Sequence, residues 1–466
     1  MVHGRFFRRL VELRSRYDAS PGLPFSEALT QDRIHAVLRE LRAFYRDRIY
    51  SPCVTLWIFL SQVLSSDHSC RDAVARWLAV RTARGQPPCS TDTGSYCQAR
   101  QRLPLELVTR LVRQTGADQH RQTPTAWRFH GRPVKLIDGS TVSMPDTAAN
   151  AAEFGKPSNQ RGGGLFPVAR LVVLLCLSTG VVLDMACGPY CGKHSGELSL
   201  FRGMNYPFET GDILLGDRLF CTYCDIARLR RSGVDVVFRL NAARRADFRR
   251  GRRLGRDDHL VRWRKPSQRP EWLSAAEFAA LPEELELREL RVRVTVPGFR
   301  VQSLVLVTTL LDPQEFSKQD LAELFRQRWH AELDLRSIKT VMQMDVLRCK
   351  RPEMVRKEMW VHLLAYNLLR SVMCAAADAH AVPVRELSFK GTMQLLNAFY
   401  HLLVTSAPEH LESLCKRLLN AVHDHRVGDR PNRYEPRKRK RPPKPYAPLK
   451  KTRDEERKLC LRKRLN

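Results

Sequence analysis

Apolar and polar positions alternate with helical spacing through the first quarter of the chain and then switch to a strand-like texture. Thr30 precedes "QDRIHAVLRELRAFYRD", Pro52 opens the apolar "CVTLWIFLSQVL", and Ser69 precedes "CRDAVARWLAV". Side-chain caps and a first-turn proline of this kind mark helix starts. After the loop "RGQPPCSTDTG", the stretches "SYCQARQRL" and "LELVTRLVRQTG", the latter opened by Pro104, complete a small all-helical unit whose exposed positions are rich in arginine. At Val134 strands begin. "VKLIDGSTVSM" reads as a strand ending in a polar turn, and "VARLVVLLCLSTGVVLDMACG" as two strands joined by a Ser-Thr-Gly turn. A helix "GELSLFRGM", a buried strand "DILLGDR", a helix "CTYCDIARLRRSG" and a strand "VDVVFRL" follow.

A three-strand meander followed by helix, strand, helix, strand is the element order of a ribonuclease-H-like α/β core. From Asn241 to about Thr309 the chain turns Arg-rich and then β-patterned, with "HLVRWRK", "LELRELRVRVTV", a Pro-Gly turn at Pro297 and "FRVQSLVLVTTL". That stretch reads as an inserted β-region, with Phe299 at a hairpin tip and Trp272 as candidate DNA probes. Ser317 caps the next helix, with Asp320 at the capping-box position, and the pattern stays helical through "EMWVHLLAYNLLRSVMCAAA". Beyond about Arg426 the tail "RPNRYEPRKRKRPPKPYAPLKKTRDEERKLCLRKRLN" has the low apolar content and high charge of a disordered segment. The expected layout is an N-terminal helical, DNA-binding domain over 1–125, the core over 126–240 and 310–385, the β-rich insertion over 241–309, and a C-terminal helical segment with a basic tail over 386–466.

Charge changes the picture. With 79 Lys and Arg against 49 Asp and Glu, the net charge is +30. Such an excess repels itself in a compact state and points to a polyanionic partner, nucleic acid before an anionic membrane surface. The longest apolar patches are too short or too interrupted for the roughly 20 residues of a membrane span, and the first residues lack the apolar region of a secretory signal. The 13 cysteines, an odd number scattered through predicted elements, suit reduced thiols in a cytoplasmic setting. "CGPYCGKH" and "CTYC" offer Cys187, Cys191, His194, Cys221 and Cys224 at zinc-like spacing. The cysteines of the second motif fall at a helix start where small residues pack, which favours packing over zinc.

Candidate chemistry centres on "LFRQRWHAELDLRSIK". At about 100° per residue, Phe325, Arg328, Glu332, Arg336 and Lys339 fall within a stripe of roughly 80° on one helix face. Charged stripes are usually solvated faces with weak pairs. This one is flanked by Leu321, Leu324 and Leu335 on one side and by Trp329 and Leu333 on the other, so partial enclosure is expected. Two further acids stand at strand ends: Asp138 in "KLIDGST" and Asp217 in "ILLGDR". An Asp there often only caps a turn. In a ribonuclease-H-like sheet, however, the first and fourth strands are neighbours, which brings Asp138 beside Asp217 with the Glu332 helix across them. Three adjacent carboxylates raise one another's pKa unless cations neutralise them. Two Mg²⁺ ions about 3.5–4 Å apart do this and support phosphodiester chemistry. Arg328, Arg336 and Lys339 are then placed to hold DNA phosphates, and Phe325 and Trp329 to touch a displaced base, although core packing is the commoner fate of such aromatics.

These residues resemble the signature of bacterial DDE transposases of the insertion-sequence-four family, Tyr-x2-Arg-x3-Glu-x6-Lys. Here it reads Phe325, Arg328, Glu332 and Lys339, with the family aspartates matched by Asp138 and Asp217. Phe325 in place of Tyr removes a hydroxyl but leaves the carboxylates intact. The resemblance runs from about Thr30 to the tail. It implies cut-and-paste movement of an insertion sequence: hydrolysis at the element's ends by metal-held Asp138, Asp217 and Glu332, then attack of the freed 3′-hydroxyl on target DNA. Mg²⁺ is the implied cofactor, with Mn²⁺ as a substitute. The implied partners are double-stranded DNA with terminal inverted repeats, target DNA and a second copy of the chain on paired ends. A ribonuclease-H-like nuclease that does not join ends, and a catalytically silent DNA-binding descendant, are the rival readings.

Overall fold

A computed structural model describes residues 28–45, 49–157, 166–293, 303–428 and 453–464. The described residues begin with helices α1 (Gln31–Glu40), α2 (Pro52–Leu64), α3 (Cys70–Ala83), α4 (Gly94–Arg102) and α5 (Leu105–Arg121). The caps expected from the sequence are in place. Thr30 accepts from the Arg33 N–H, Ser69 accepts from the Asp72 N–H, and Pro52 occupies the first turn of α2. α2 is apolar nearly all round and is almost entirely buried.

The sheet contains β1 (Val134–Ser143), β2 (Val168–Cys176), β3 (Val182–Pro189), β4 (Ile213–Gly216), β5 (Asp235–Arg239), β6 (Arg252–Gly255), β7 (Asp258–Arg264), β8 (Glu284–Arg293) and β9 (Ser303–Thr308). Its order is β3-β2-β1-β4-β5-β9-β8-β7-β6. β1, β2 and β3 form an antiparallel meander, while β1, β4 and β5 run parallel. The first and fourth strands are neighbours, as the element order predicts. A short helix α6 (Ala148–Phe154) lies between β1 and β2, α7 (Glu197–Arg202) follows β3, and α8 (Tyr223–Arg231) joins β4 to β5. The Arg-rich stretch after Asn241 does not form a separate sheet. β9 pairs antiparallel with β5, so β6 to β9, with α9 (Ala275–Ala279) between β7 and β8, prolong the same sheet across its otherwise open edge. Phe299 and the turn at Pro297 lie outside the described residues. Trp272 is packed beneath the Arg202 guanidinium, 3.9 Å from its ring centre.

Beyond the sheet come α10 (Lys318–Arg326), α11 (Trp329–Arg336), α12 (Pro352–Ala379), α13 (Phe389–Thr405) and α14 (Pro408–Asp424). The continuous helix expected after Ser317 is therefore divided. Its start has the expected box, with Ser317 and Asp320 capping each other's backbone N–H. It tightens at Gln327 and Arg328, continues as α11, and widens into a π-helical turn over Ser337–Val341. The chain then leaves the helix to meet the end of β1, where Ser143 and Val346 bridge in parallel and the Leu347 N–H donates to Ser143 O at 2.8 Å. Periodicity could not show this, because the residues that break the helix do so by bonding to a strand 200 positions away. The basic tail is corrected in part: Arg453–Arg464 is a helix, α15, with Asp454, Glu455 and Glu456 in its first turn. Acids at that end complement the helix dipole. The rest of the tail, including "RPNRYEPRKRKRPPKPY", lies outside the described residues.

Two apolar layers cover the two sheet faces. Leu136, Val173, Leu175 and Leu215 enter a large core shared with α1, α2, α5, α11 and α12. Ile137, Val172, Leu174 and Leu214 face a second layer containing α7 and α8. This alternation is the strand period of two. α5 meets the sheet so closely at Gly116 that a methyl group there would overlap the carbonyl of Val182. Asn367 of α12 fills the same seam, accepting from the Val182 N–H at 2.8 Å and donating to Val182 O at 2.9 Å and Val112 O at 3.2 Å. Gly116→Ala, which in an ordinary helix interior gains about 1 kcal/mol, is accordingly expected to cost about 1–3 kcal/mol here. A urea melt of the two proteins gives the sign directly.

Candidate active site

Strand register brings Asp138 and Asp217 together. Leu136 of β1 lies opposite Leu215 of β4 in the parallel pair, and both aspartates stand two residues further along. Each therefore faces the same side of the sheet as the leucine before it, toward the large core and α11. Gly216, which precedes Asp217 and faces the other side of the sheet, is crowded by Ile137, Phe238 and Phe220. Asp138 accepts from the Gly139 N–H at 2.9 Å and Asp217 from the Leu219 N–H at 2.8 Å, so both also serve as turn caps.

The third acid comes from α11, which packs across β1 with Ala331, Leu335 and Ile338 buried beneath it. Glu332 accepts from Arg328 at 2.8 Å, and the other amino group of that guanidinium lies 3.5 Å from Asp138. Arg328 thus bridges two of the three carboxylates. Burial pushes the Asp138 carboxyl up from 3.8 to about 6; Arg328 and the Gly139 N–H oppose the rise, and Asp217 and Glu332 add to it. Among the described residues, no three His, Cys, Asp or Glu side chains stand close enough to hold a metal ion. Glu332 instead turns to the nearest positive charge, that of Arg328. The donor set nonetheless fits a hard divalent cation, because it is all carboxylate oxygen and burial disfavours the anionic form of Asp138 as it stands.

The remaining stripe residues are distributed unevenly. Phe325 packs half-buried against the large core. Trp329 is 48% exposed and Arg336 is exposed on the next turn. Lys339 lies in the π-helical turn, half-buried, and burial holds its ammonium below the usual lysine range while Asp345 opposes the shift. The zinc-like cysteines do not assemble. Cys187 packs against the large core, Cys221 and Cys224 belong to the layer on the other sheet face, and Cys191 is exposed.

Two groups at the site escaped sequence reasoning. Asp334, fully buried on the side of α11 away from solvent, accepts from Arg385 at 2.8 Å through both oxygens and pairs with Arg370. Arg370 also donates to the Tyr366 hydroxyl, which donates to Gly180 O; Arg385 donates to Leu177 O. This clamp ties α11 to α12 and to the β2–β3 turn. Asp334 reads in the sequence as one more charge on a polar helix. The second group is Glu197, in the first turn of α7 on the opposite sheet face. A methyl group at Gly139 would overlap its carboxyl. Burial raises its pKa, Arg170 opposes and Asp217 adds to the rise. An acid in a first helical turn reads simply as dipole compensation.

Comparison with known proteins decides the family. The transposase DDE domain family matches residues 129–368, more than half of the 466. The chain belongs to that family of DDE transposases. The transposase InsG of insertion sequence element IS4 from Escherichia coli K12 is 27% identical over 417 residues, 88% of this chain and 90% of that protein. The putative transposase InsZ of the same organism is 28% identical over 137 residues, 29% of this chain and 45% of its own. Among solved structures, a piggyBac transposase synaptic complex with hairpin DNA aligns over 86% of this chain and 85% of that one, at a TM-score of 0.44 and 11% identity. By sequence the resemblance to the insertion-sequence-four transposase covers 88% of the chain, and divalent-metal use comes with the family.

The Asp138 environment sets a pH-dependent expectation for this transposase. A carboxyl raised from 3.8 to about 6 favours the folded state below pH 4, where it is protonated in both states, and that advantage is lost as pH rises through 6. Asp138→Asn, measured without added metal, should raise stability at pH 8 by about 1–3 kcal/mol and give little change at pH 4. A melting-temperature series across this range checks the sign. Asp334→Ala should cost about 3–5 kcal/mol, because it leaves two largely buried guanidinium groups without their carboxylate; denaturant unfolding at pH 7 measures it.

Proposed function

We propose that this transposase moves an insertion sequence by a cut-and-paste reaction. Its centre would be formed by Asp138, Asp217 and Glu332 within a ribonuclease-H-like core. The observation that carries this reading is the pairing of Asp138 with Asp217 by strand register, with α11 bringing Glu332 to the same face. Asp138, Asp217 and Glu332 would hold two divalent cations, Mg²⁺ with Mn²⁺ as a substitute, which supply Lewis acidity at the scissile phosphate and lower the pKa of the attacking hydroxyl. In the first step water displaces the 3′-oxygen from phosphorus at the element's end. In the second, the freed 3′-hydroxyl attacks a phosphorus of target DNA and displaces its 3′-oxygen in turn.

The chain's own cations have separate tasks in this scheme. Arg328, which bridges Asp138 and Glu332, would turn its side chain to a DNA phosphate once the cations those carboxylates would hold neutralise them. Lys339 and Arg336 hold phosphates on the next turns, and Trp329 offers an exposed ring to a base. Phe325, in α10, packs against the large core, and with phenylalanine at this position the hydroxyl of the family tyrosine has no counterpart here. The helical front end over 1–125 and the basic tail would add phosphate contacts, the insertion over 241–309 would flank the bound end, and residues 126–240 with 310–385 would carry the chemistry. Double-stranded DNA with terminal inverted repeats, target DNA and a second copy of the chain complete the assembly, in a bacterial cytoplasm. Among the described residues, no helix is long and apolar enough to cross a membrane.

The decisive test uses labelled DNA carrying the sequences that flank the coding region. With Mg²⁺ or Mn²⁺ the parent protein should nick at the element boundary and join the 3′ end to a target, while Glu332→Gln should bind equally and cut at least about a hundredfold more slowly. Cutting without joining would favour the nuclease reading, and binding without cutting under either metal the silent one. In salt titrations of DNA binding, Lys339→Ala and Arg336→Ala should each reduce the slope by about 1; an unchanged slope removes that residue from the phosphate contacts.

A further inference from the structure

We propose that Glu197 is a fourth carboxylate ligand of the catalytic centre, reaching its divalent cation through the opening that Gly139 leaves in β1. This rests on the catalytic reading of Asp138, Asp217 and Glu332.

Three observations lead there. Gly139 sits inside a strand, next to Asp138, where a glycine weakens pairing and marks close approach by another group. It is not among the residues of positive φ, so backbone conformation does not require a glycine. What requires it is space, because the carboxyl carbon and both oxygens of Glu197 lie where a β-carbon would stand. Second, Glu197 makes no hydrogen bond or ion pair with another described residue. The cation that acts on it, Arg170, is turned to Tyr190, donating to the carbonyl at 3.4 Å with its guanidinium over the ring at 5.1 Å. A half-buried carboxylate kept from a nearby arginine is one whose partner is elsewhere. Third, its position is fixed rather than incidental. Phe201 anchors α7 in the apolar layer and packs edge-on against Phe220, and Leu200 fills the space over Gly188. Glu197 therefore approaches Asp138 and Asp217 from one sheet face as Glu332 approaches from the other.

Four carboxylates, two from neighbouring strands and one from each flanking helix, give a pair of hard cations more oxygen donors than three, and cations of this kind take six or more. Glu197 would thus be a catalytic residue in direct contact with the metal.

The test is Mn²⁺ binding to the full chain, followed by electron paramagnetic resonance, together with melting temperatures. Glu197→Gln, which keeps shape and removes charge, should weaken Mn²⁺ binding roughly tenfold to hundredfold without lowering the melting temperature. Gly139→Ala should have the same effect with Glu197 intact, because its methyl displaces the flexible carboxylate. If both variants bind Mn²⁺ as the parent does while Asp138→Asn binds it weakly, Glu197 is not a ligand and the proposal fails alone. If Asp138→Asn also binds normally, the catalytic reading of the aspartates fails and this proposal with it.

Discussion

The placement of α11 across β1 is the constraint on which the rest of the site depends. A helix can slide along a sheet with little change in apolar contact, so burial of Ala331, Leu335 and Ile338 does not by itself set where Glu332 stands. Directional bonds do. Asp334 is held by Arg370 and Arg385 on the buried side, and beyond the π-helical turn the chain is bonded to the end of β1 at Ser143. The helix is thereby pinned in its last turn and just beyond it, and Glu332, two residues before Asp334, is carried to the opposite, open side. Buried ion pairs contribute little net stability because both partners lose their hydration. Their use here is positional.

Charge is organised in opposition to the protein as a whole. The chain carries +30, yet acids gather where the sheet's parallel strands end. An isolated carboxylate cluster is unfavourable, and Arg328 offsets part of the repulsion by bridging Asp138 and Glu332. A net charge of +30 has the sign to draw in a polyanion over distances of about a Debye length, whereas carboxylates act only at contact. On the proposed catalytic reading, attraction of the DNA and chemistry on it fall to different residues, separated by range.

The long sheet has a comparable logic. Parallel strands β1, β4 and β5 need cover on both faces, which the two apolar layers provide. Its β5 edge would be open for pairing with another chain, and β9 closes it with the antiparallel strands of the Arg-rich region. The region thereby becomes rigidly continuous with the strands that carry the aspartates.

Local signals in the sequence determined most of the elements and singled out the candidate acids. Caps at Thr30, Ser69 and Ser317, the strand texture after Val134, and the spacing from Arg328 to Glu332 and Lys339 are properties of neighbouring residues, and short-range stereochemistry makes them legible. Tertiary structure alone decided where the helix after Ser317 breaks, that the β-rich region shares the sheet, and that Asp334 and Glu197 belong to the site. Each depends on a partner far away in the chain: Ser143 for the break, β5 for the sheet, Arg370 and Arg385 for Asp334, Gly139 for Glu197. Periodicity reports which face a side chain occupies, but not what lies opposite that face, because the opposing group is chosen by the fold and leaves no mark in the adjacent sequence.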